Sequence, residues 1–133
     1  MKHKGNTFEF MRERNRDLLR VYKEQALAMT FIDADILMER IVKCPAKRFW
    51  VSEERARKVV ARLMRGETMD GMKVTSKRMY AEIFRRTKSL MEEGMRMSEA
   101  VTAVVYQPAP EFYLTPQSAA VILSHIRTKK YII

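Results

Sequence analysis

Apolar residues recur along this chain at three- and four-residue intervals, and glycines and prolines cut the pattern into six helical stretches. Over residues 11–29, Leu18, Leu19, Tyr22 and Ala26 share one side while Arg12, Arg16 and Lys23 fall largely on another, which predicts an amphipathic helix. Asp33 is placed to cap a second helix through Lys43, with Ile36, Leu37, Ile41 and Val42 inward and Pro45 past its end. Ser52 caps a third, running to about Arg65 and stopped by Gly66. A fourth is expected over residues 76–93, with Met79, Ile83, Leu90 and Met91 at core spacing, and a short fifth over 98–106. Thr115, with Pro116 at the first helical position, opens a sixth to about Lys129. Residues 48–51 and 111–114 read as extended, enough for a tiny two-stranded ribbon at most. The expected class is all-α, a single domain over residues 1–133.

The pattern also repeats. At an offset of 63, residues 41–60 match residues 104–123 at five of 20 positions: Val42/Val105, Pro45/Pro108, Ala46/Ala109, Phe49/Phe112 and Ala56/Ala119. Trp50/Tyr113, Val51/Leu114 and Ser52/Thr115 are close substitutions. The common template is a helix, Pro-Ala, Phe-aromatic-aliphatic, a hydroxyl cap and a second helix. Each copy is too short to bury its own faces, so the reading is a degenerate tandem repeat sharing one core about a pseudo-two-fold axis. Its halves are expected at 9–66 and 75–129, joined by the loop 66–74.

Composition narrows the function classes. With 47% hydrophobic and 9% aromatic residues, the chain has the material for a packed core, which excludes wholesale disorder. One cysteine, Cys44, excludes a disulfide framework and a cysteine-based zinc finger. His3 and His125 leave little for a histidine metal site, no cofactor is implied, and no phosphate-binding glycine loop is present. No apolar run reaches about 18 residues and no secretory leader is legible at the start, so the expectation is a soluble cytoplasmic protein without a membrane partner. Against 16 acidic residues stand 26 basic ones, net +10, with +7 of it in residues 1–66. An excess of that size points to an anionic partner.

The third helix concentrates this charge. Arg55, Lys58, Arg62 and Arg65 fall within an arc of about 80°, broadly opposite Ala56, Val59, Val60, Leu63 and Met64. Nothing in the helix beyond Glu53 and Glu54 offsets their repulsion, whereas a polyanion would, with counterion release besides. In the second copy these positions are Ser118, Val121, His125 and Thr128, so the stripe is not a requirement of the template. The favoured function is a small non-enzymatic protein that binds double-stranded DNA, such as a transcriptional regulator or an accessory factor of a phage or mobile element. Arg55, Arg57, Lys58, Arg62 and Arg65 would carry it, with phosphate contacts from Lys47, Arg48, Arg12, Arg14, Arg16 and Arg20. The layout of residues 33–65 is similar to a helix-turn-helix, although residues 44–51 make a longer turn than the usual three or four. A ribbon-helix-helix layout ranks second.

Other readings carry less. Lys47-Arg48-Phe49-Trp50 has the look of a single-strand stacking platform, but its aromatics recur in the second copy beside Pro110-Glu111, which favours core filling. Asp33 and Asp35 are explained as a helix cap and first-turn acid, and Cys44 has no catalytic companion motif. A protein–protein adaptor or oligomeric component meeting an acidic partner is the alternative function, and RNA binding the third. Self-association is expected through the second repeat or the C-terminal tail, where Tyr131, Ile132 and Ile133 are apolar. Residues 1–6 and 129–133 are expected to be weakly ordered in a monomer.

Overall fold

The computed structural model describes the backbone of residues 2–129 and the side chains of residues 9–128. The fold is all-α: α1 (Lys2–Ala28), α2 (Ala34–Lys43), α3 (Glu53–Met64), α4 (Val74–Glu92), α5 (Met97–Val105) and α6 (Pro116–Lys129). Three starts have the chemistry their sequences announce. Asp33 Oδ1 accepts the Ile36 N–H at 3.1 Å, Ser52 Oγ accepts the Arg55 N–H at 3.1 Å, and Thr115 Oγ1 accepts the Ser118 N–H at 3.1 Å. Other boundaries shift. No proline precedes Met11, and α1 runs back to Lys2 instead of starting near Met11. The expectations for residues 130–133 lie outside the described residues.

The helices gather into two compact units. One holds α1, α2 and α6; the other, Lys47–Ala109, holds α3, α4 and α5. These units do not coincide with the halves 9–66 and 75–129, because the loop 66–74 lies inside the second unit. The candidate helix-turn-helix pair is likewise divided, α2 falling in one unit and α3 in the other.

Backbone bonding shows what replaces the expected pairing. In the first unit the Phe112 N–H donates to the Val42 carbonyl at 3.2 Å; in the second the Phe49 N–H donates to the Val105 carbonyl at 3.0 Å. Phe112 and Val42 are the offset-63 counterparts of Phe49 and Val105. Each aromatic turn thus ties to the second helix of the opposite sequence half. Its following helix then packs there, α6 on α2 and α3 on α5. No ribbon forms among the described residues. Around 48–51 the Arg48 guanidinium takes the Phe49 and Val51 carbonyls at 3.0 and 2.7 Å. Around 111–114 the chain bends through Tyr113 at φ 57°, which breaks an extended run.

Each unit has its own core. Leu18, Val21, Leu37, Ile41, Phe112 and Leu123 are buried in the first, and Phe49, Val60, Ile83, Val101, Val104 and Val105 in the second. The inner face of α1 differs from the expected one. It runs through Asn15, Asp17, Leu18 and Val21, with Leu19 and Tyr22 only half-buried and Met11 exposed. Ile36 is also exposed rather than inward, because it sits on the side of α2 opposite Leu37 and Ile41.

The continuity of Lys47–Ala109 leads to an expected result. Expressed alone, residues 47–109 should keep a cooperative helical far-ultraviolet melt, since all three helices of that unit are present. Residues 1–46 alone lack α6 and should not. Circular dichroism of the two fragments checks this.

Candidate nucleic-acid interface

Helix α3 positions the central stripe. Ser52 fixes its first turn, Glu53 and Glu54 suit the helix dipole there, and Ala56, Val59 and Val60 hold its inner face in the core. Arg55, Lys58, Arg62 and Arg65 are consequently exposed on the outer side. Gly66 then reverses the chain at φ 86°, a left-handed conformation that glycine adopts without strain. The reversal lets the Glu67 N–H donate to the Arg62 carbonyl at 3.1 Å. It also brings the Glu67 carboxylate to 3.2 Å from Arg62 Nε and 3.0 Å from Arg65 Nη2. Hydrogen bonds from Arg62 and then Arg65 hold the Glu67 carboxyl below its ordinary range. Lys58 lies 3.9 Å from Glu54. The repulsion expected along the stripe is therefore partly offset, and by Glu67 from beyond the helix as much as by its first turn. Arg55 has no ion pair among the described residues.

The remaining basic residues do different work. Arg57 is half-buried and turned toward α5, 3.5 Å from Glu53 and 3.2 Å from the Thr102 hydroxyl. Arg48 lies 5.0 Å from the Trp50 ring centroid and 4.3 Å from that of Tyr106, in addition to its two carbonyl bonds. It holds the turn together. Lys47 is exposed. On α1, Arg20 is 2.6 Å from the buried Asp17 and 3.2 Å from Glu24. Arg14 donates to Asn15 Oδ1 at 3.0 Å, and burial pushes its guanidinium pKa down. Arg12 is half-buried and Arg16 exposed. So α3 presents Arg55, Lys58, Arg62 and Arg65 together, whereas Arg12, Arg14, Arg16 and Arg20 belong to the other unit.

A second basic row went unread in the sequence. On α4, Lys77, Arg78, Arg85 and Lys88 fall within an arc of about 100°, opposite the buried Met79, Tyr80, Ile83 and Thr87. Arg85 is 2.5 Å from Glu82, and the Lys88 ammonium is 5.3 Å from the Phe84 ring centroid. The same helical wheel exposes Arg78, Arg85 and Lys88 and leaves Lys77 half-buried.

One polar cluster braces α3 against α5. The Tyr106 hydroxyl donates to Glu53 Oε2 at 2.6 Å, and Thr102 and Arg57 reach Glu53 Oε1 at 3.3 and 3.5 Å. The Tyr106 bond foremost, against the opposing effect of burial and helped by Thr102 and Arg57, holds the Glu53 carboxyl below its ordinary value. A depressed carboxyl contributes stability above its unfolded pKa and loses it as pH falls through the folded value. Tyr106→Phe should therefore lower stability at pH 7 by about 0.5–1 kcal/mol, a figure reduced for solvent exposure. The difference from wild type should shrink as pH falls from the ordinary carboxylate range through the lowered Glu53 value, which thermal melts at descending pH will show.

No group of three or more His, Cys, Asp and Glu side chains among the described residues is arranged to hold a metal ion. Burial first, and then the Glu24 charge, raise the Cys44 thiol pKa, which disfavours the nucleophilic thiolate near neutral pH. No described helix is long and apolar enough to cross a membrane. Comparison with known proteins finds no family model, no curated protein and no solved structure that matches this chain.

Proposed function

We propose that this chain is a non-enzymatic protein that binds double-stranded DNA through the outer face of α3. One observation carries the reading: four cations, Arg55, Lys58, Arg62 and Arg65, stand exposed on one side of a capped helix whose opposite side is locked in a core. A rigid helix with a cationic outer face suits a groove lined by phosphates. Arg55, with no competing carboxylate among the described residues, is the residue most ready for a phosphate or a base edge. Arg62 and Arg65 exchange Glu67 for phosphate on binding. Lys47, at the turn before α3, adds a further cation in the same unit.

A tandem origin for the two halves belongs to the same proposal. It is supported by the matched Phe49–Val105 and Phe112–Val42 bonds and by the matched Ser52 and Thr115 caps. In that reading one copy acquired the basic stripe and the other kept Ser118, Val121, His125 and Thr128.

The test is fluorescence anisotropy with a labelled duplex. Binding should weaken between about 50 and 200 mM salt, with log K falling by about 0.9 per log unit of salt for each phosphate contacted, and should respond to duplex length. An absence of salt-sensitive duplex binding would refute the proposal. Salt-sensitive binding to an acidic protein, without binding to duplex, would place the adaptor reading first.

A further inference from the structure

In the first unit, the corner between α1 and α2 exposes a run of large apolar side chains. Leu27 is 87% exposed, Phe31 85%, Ile32 60% and Ile36 45%. Four such side chains within ten residues of an exposed corner mark a surface made to be covered. Their surroundings are acidic. Asp33, Asp35 and Glu39 are exposed, Glu24 is exposed but meets Arg20, and no Lys or Arg occurs between Lys23 and Arg40 in a chain of net charge +10. The cover must bring both apolar contact and positive charge.

The chain carries such a surface in its other unit. The outer row of α4 begins with Val74, 72% exposed, and continues through Lys77, Arg78, Ala81, Arg85 and Lys88. Apolar contact and positive charge lie along one helix face, the converse of the corner. The α3 stripe fits less well, because it has no large exposed apolar side chain to match Val74. Two corners meeting each other fit worse still, because Asp33, Asp35 and Glu39 of one copy would oppose the same three of its partner.

We infer that copies of this chain associate head to tail, the α1–α2 corner of one docking on the outer face of α4 of the next. The contact is heterologous, so a docked copy still offers its other face to a further copy. One corner against one helix face is a small interface, below about 1,200 Å² in total, so the association is weak and salt-sensitive. It does not rest on DNA binding and is tested without nucleic acid.

Sedimentation velocity of the whole chain, from about 10 to 200 μM in about 50 mM salt, should show mass rising with concentration, and about 500 mM salt should reverse it. Phe31→Ser with Ile32→Ser and Asp35→Lys removes the corner. Val74→Asp with Lys77→Glu removes the α4 face while placing acid at a helix start, where the dipole favours it. Each variant alone should remain monomeric, and an equimolar mixture should form a dimer and nothing larger, since each keeps one working face. In the wild type, carbodiimide crosslinking of isotopically mixed copies should join Asp35 or Glu39 of one to Lys77 or Lys88 of another, a readout independent of any variant. A wild type that stays monomeric throughout overturns the inference. So does a Val74→Asp, Lys77→Glu variant that assembles like wild type, which would mean the corner meets the α3 stripe or another corner, and so does a mixture that remains monomeric.

Discussion

Replacing Arg55, Lys58, Arg62 and Arg65 together with Gln should weaken duplex binding by roughly 100- to 1,000-fold and lower the salt slope by up to about 3.6, the sum of four phosphate contacts at about 0.9 each. The fold should survive. All four side chains are exposed and none belongs to the core face of α3. The ion pairs lost, Lys58–Glu54 and the two on Glu67, are solvent-exposed and weak, and their loss is partly cancelled by the relief of repulsion between the cations. Melting temperature and helical signal should thus stay near wild type while anisotropy collapses. Glu67→Gln gives the opposing control. It removes the carboxylate that competes with phosphate for Arg62 and Arg65, and binding should tighten by a few-fold with a steeper salt slope. If the quadruple variant retained wild-type affinity, α3 would not be the binding face.

The largest expected stability effect lies at the paired phenylalanines. Phe49→Ala and Phe112→Ala should each cost about 3–5 kcal/mol, because each removes a buried ring, 0% and 5% exposed, and leaves a cavity that the surrounding helices cannot wholly close. Phe49 has the further role of accepting the Arg86 guanidinium over its ring at 5.0 Å. Arg86 in turn donates to Gln107 Oε1 at 3.0 Å and to the Pro108 carbonyl at 3.1 Å. Truncating Phe49 therefore loosens the end of α5 as well as the core, and its cost should be the larger of the two. Urea denaturation of both variants measures the difference. A loss below about 1 kcal/mol at either site would show that its ring does not hold the unit together.

Local chemistry was the legible part of this chain. Asp33, Ser52 and Thr115 announce helix starts because a side-chain oxygen three residues before an N–H satisfies a bond that the helix itself cannot. The wheel of α3 separates Val59 and Val60 from Arg62 and Arg65 by periodicity alone. What escaped was decided by burial and by which of several partners a side chain takes. Nothing within α1 indicates that Asp17 is buried with Arg20 as its partner, or that Ile36 faces out where Leu37 faces in. Arg57 lies close to the α3 stripe in the sequence, yet Thr102 on α5 draws it aside. Arg48 looks like a phosphate contact until the carbonyls of Phe49 and Val51 are seen to occupy it. Most of all, matched segments do not say which helices complete which unit: α6 packs with α1 and α2, and α3 with α4 and α5. The α4 row is of another kind, since its periodicity is visible in the sequence without tertiary information.

That division of the helices bears on how the chain folds. α1 and α2 need α6, and the whole of Lys47–Ala109 lies between them in the sequence, whereas α3, α4 and α5 follow one another without interruption. Closing the first core means closing a loop around that entire unit, so the uninterrupted unit should fold first. Until α6 docks, Leu37 and Ile41 stay uncovered next to a corner that already exposes Phe31 and Ile32, and refolding from urea should lose more material to aggregation as protein concentration rises.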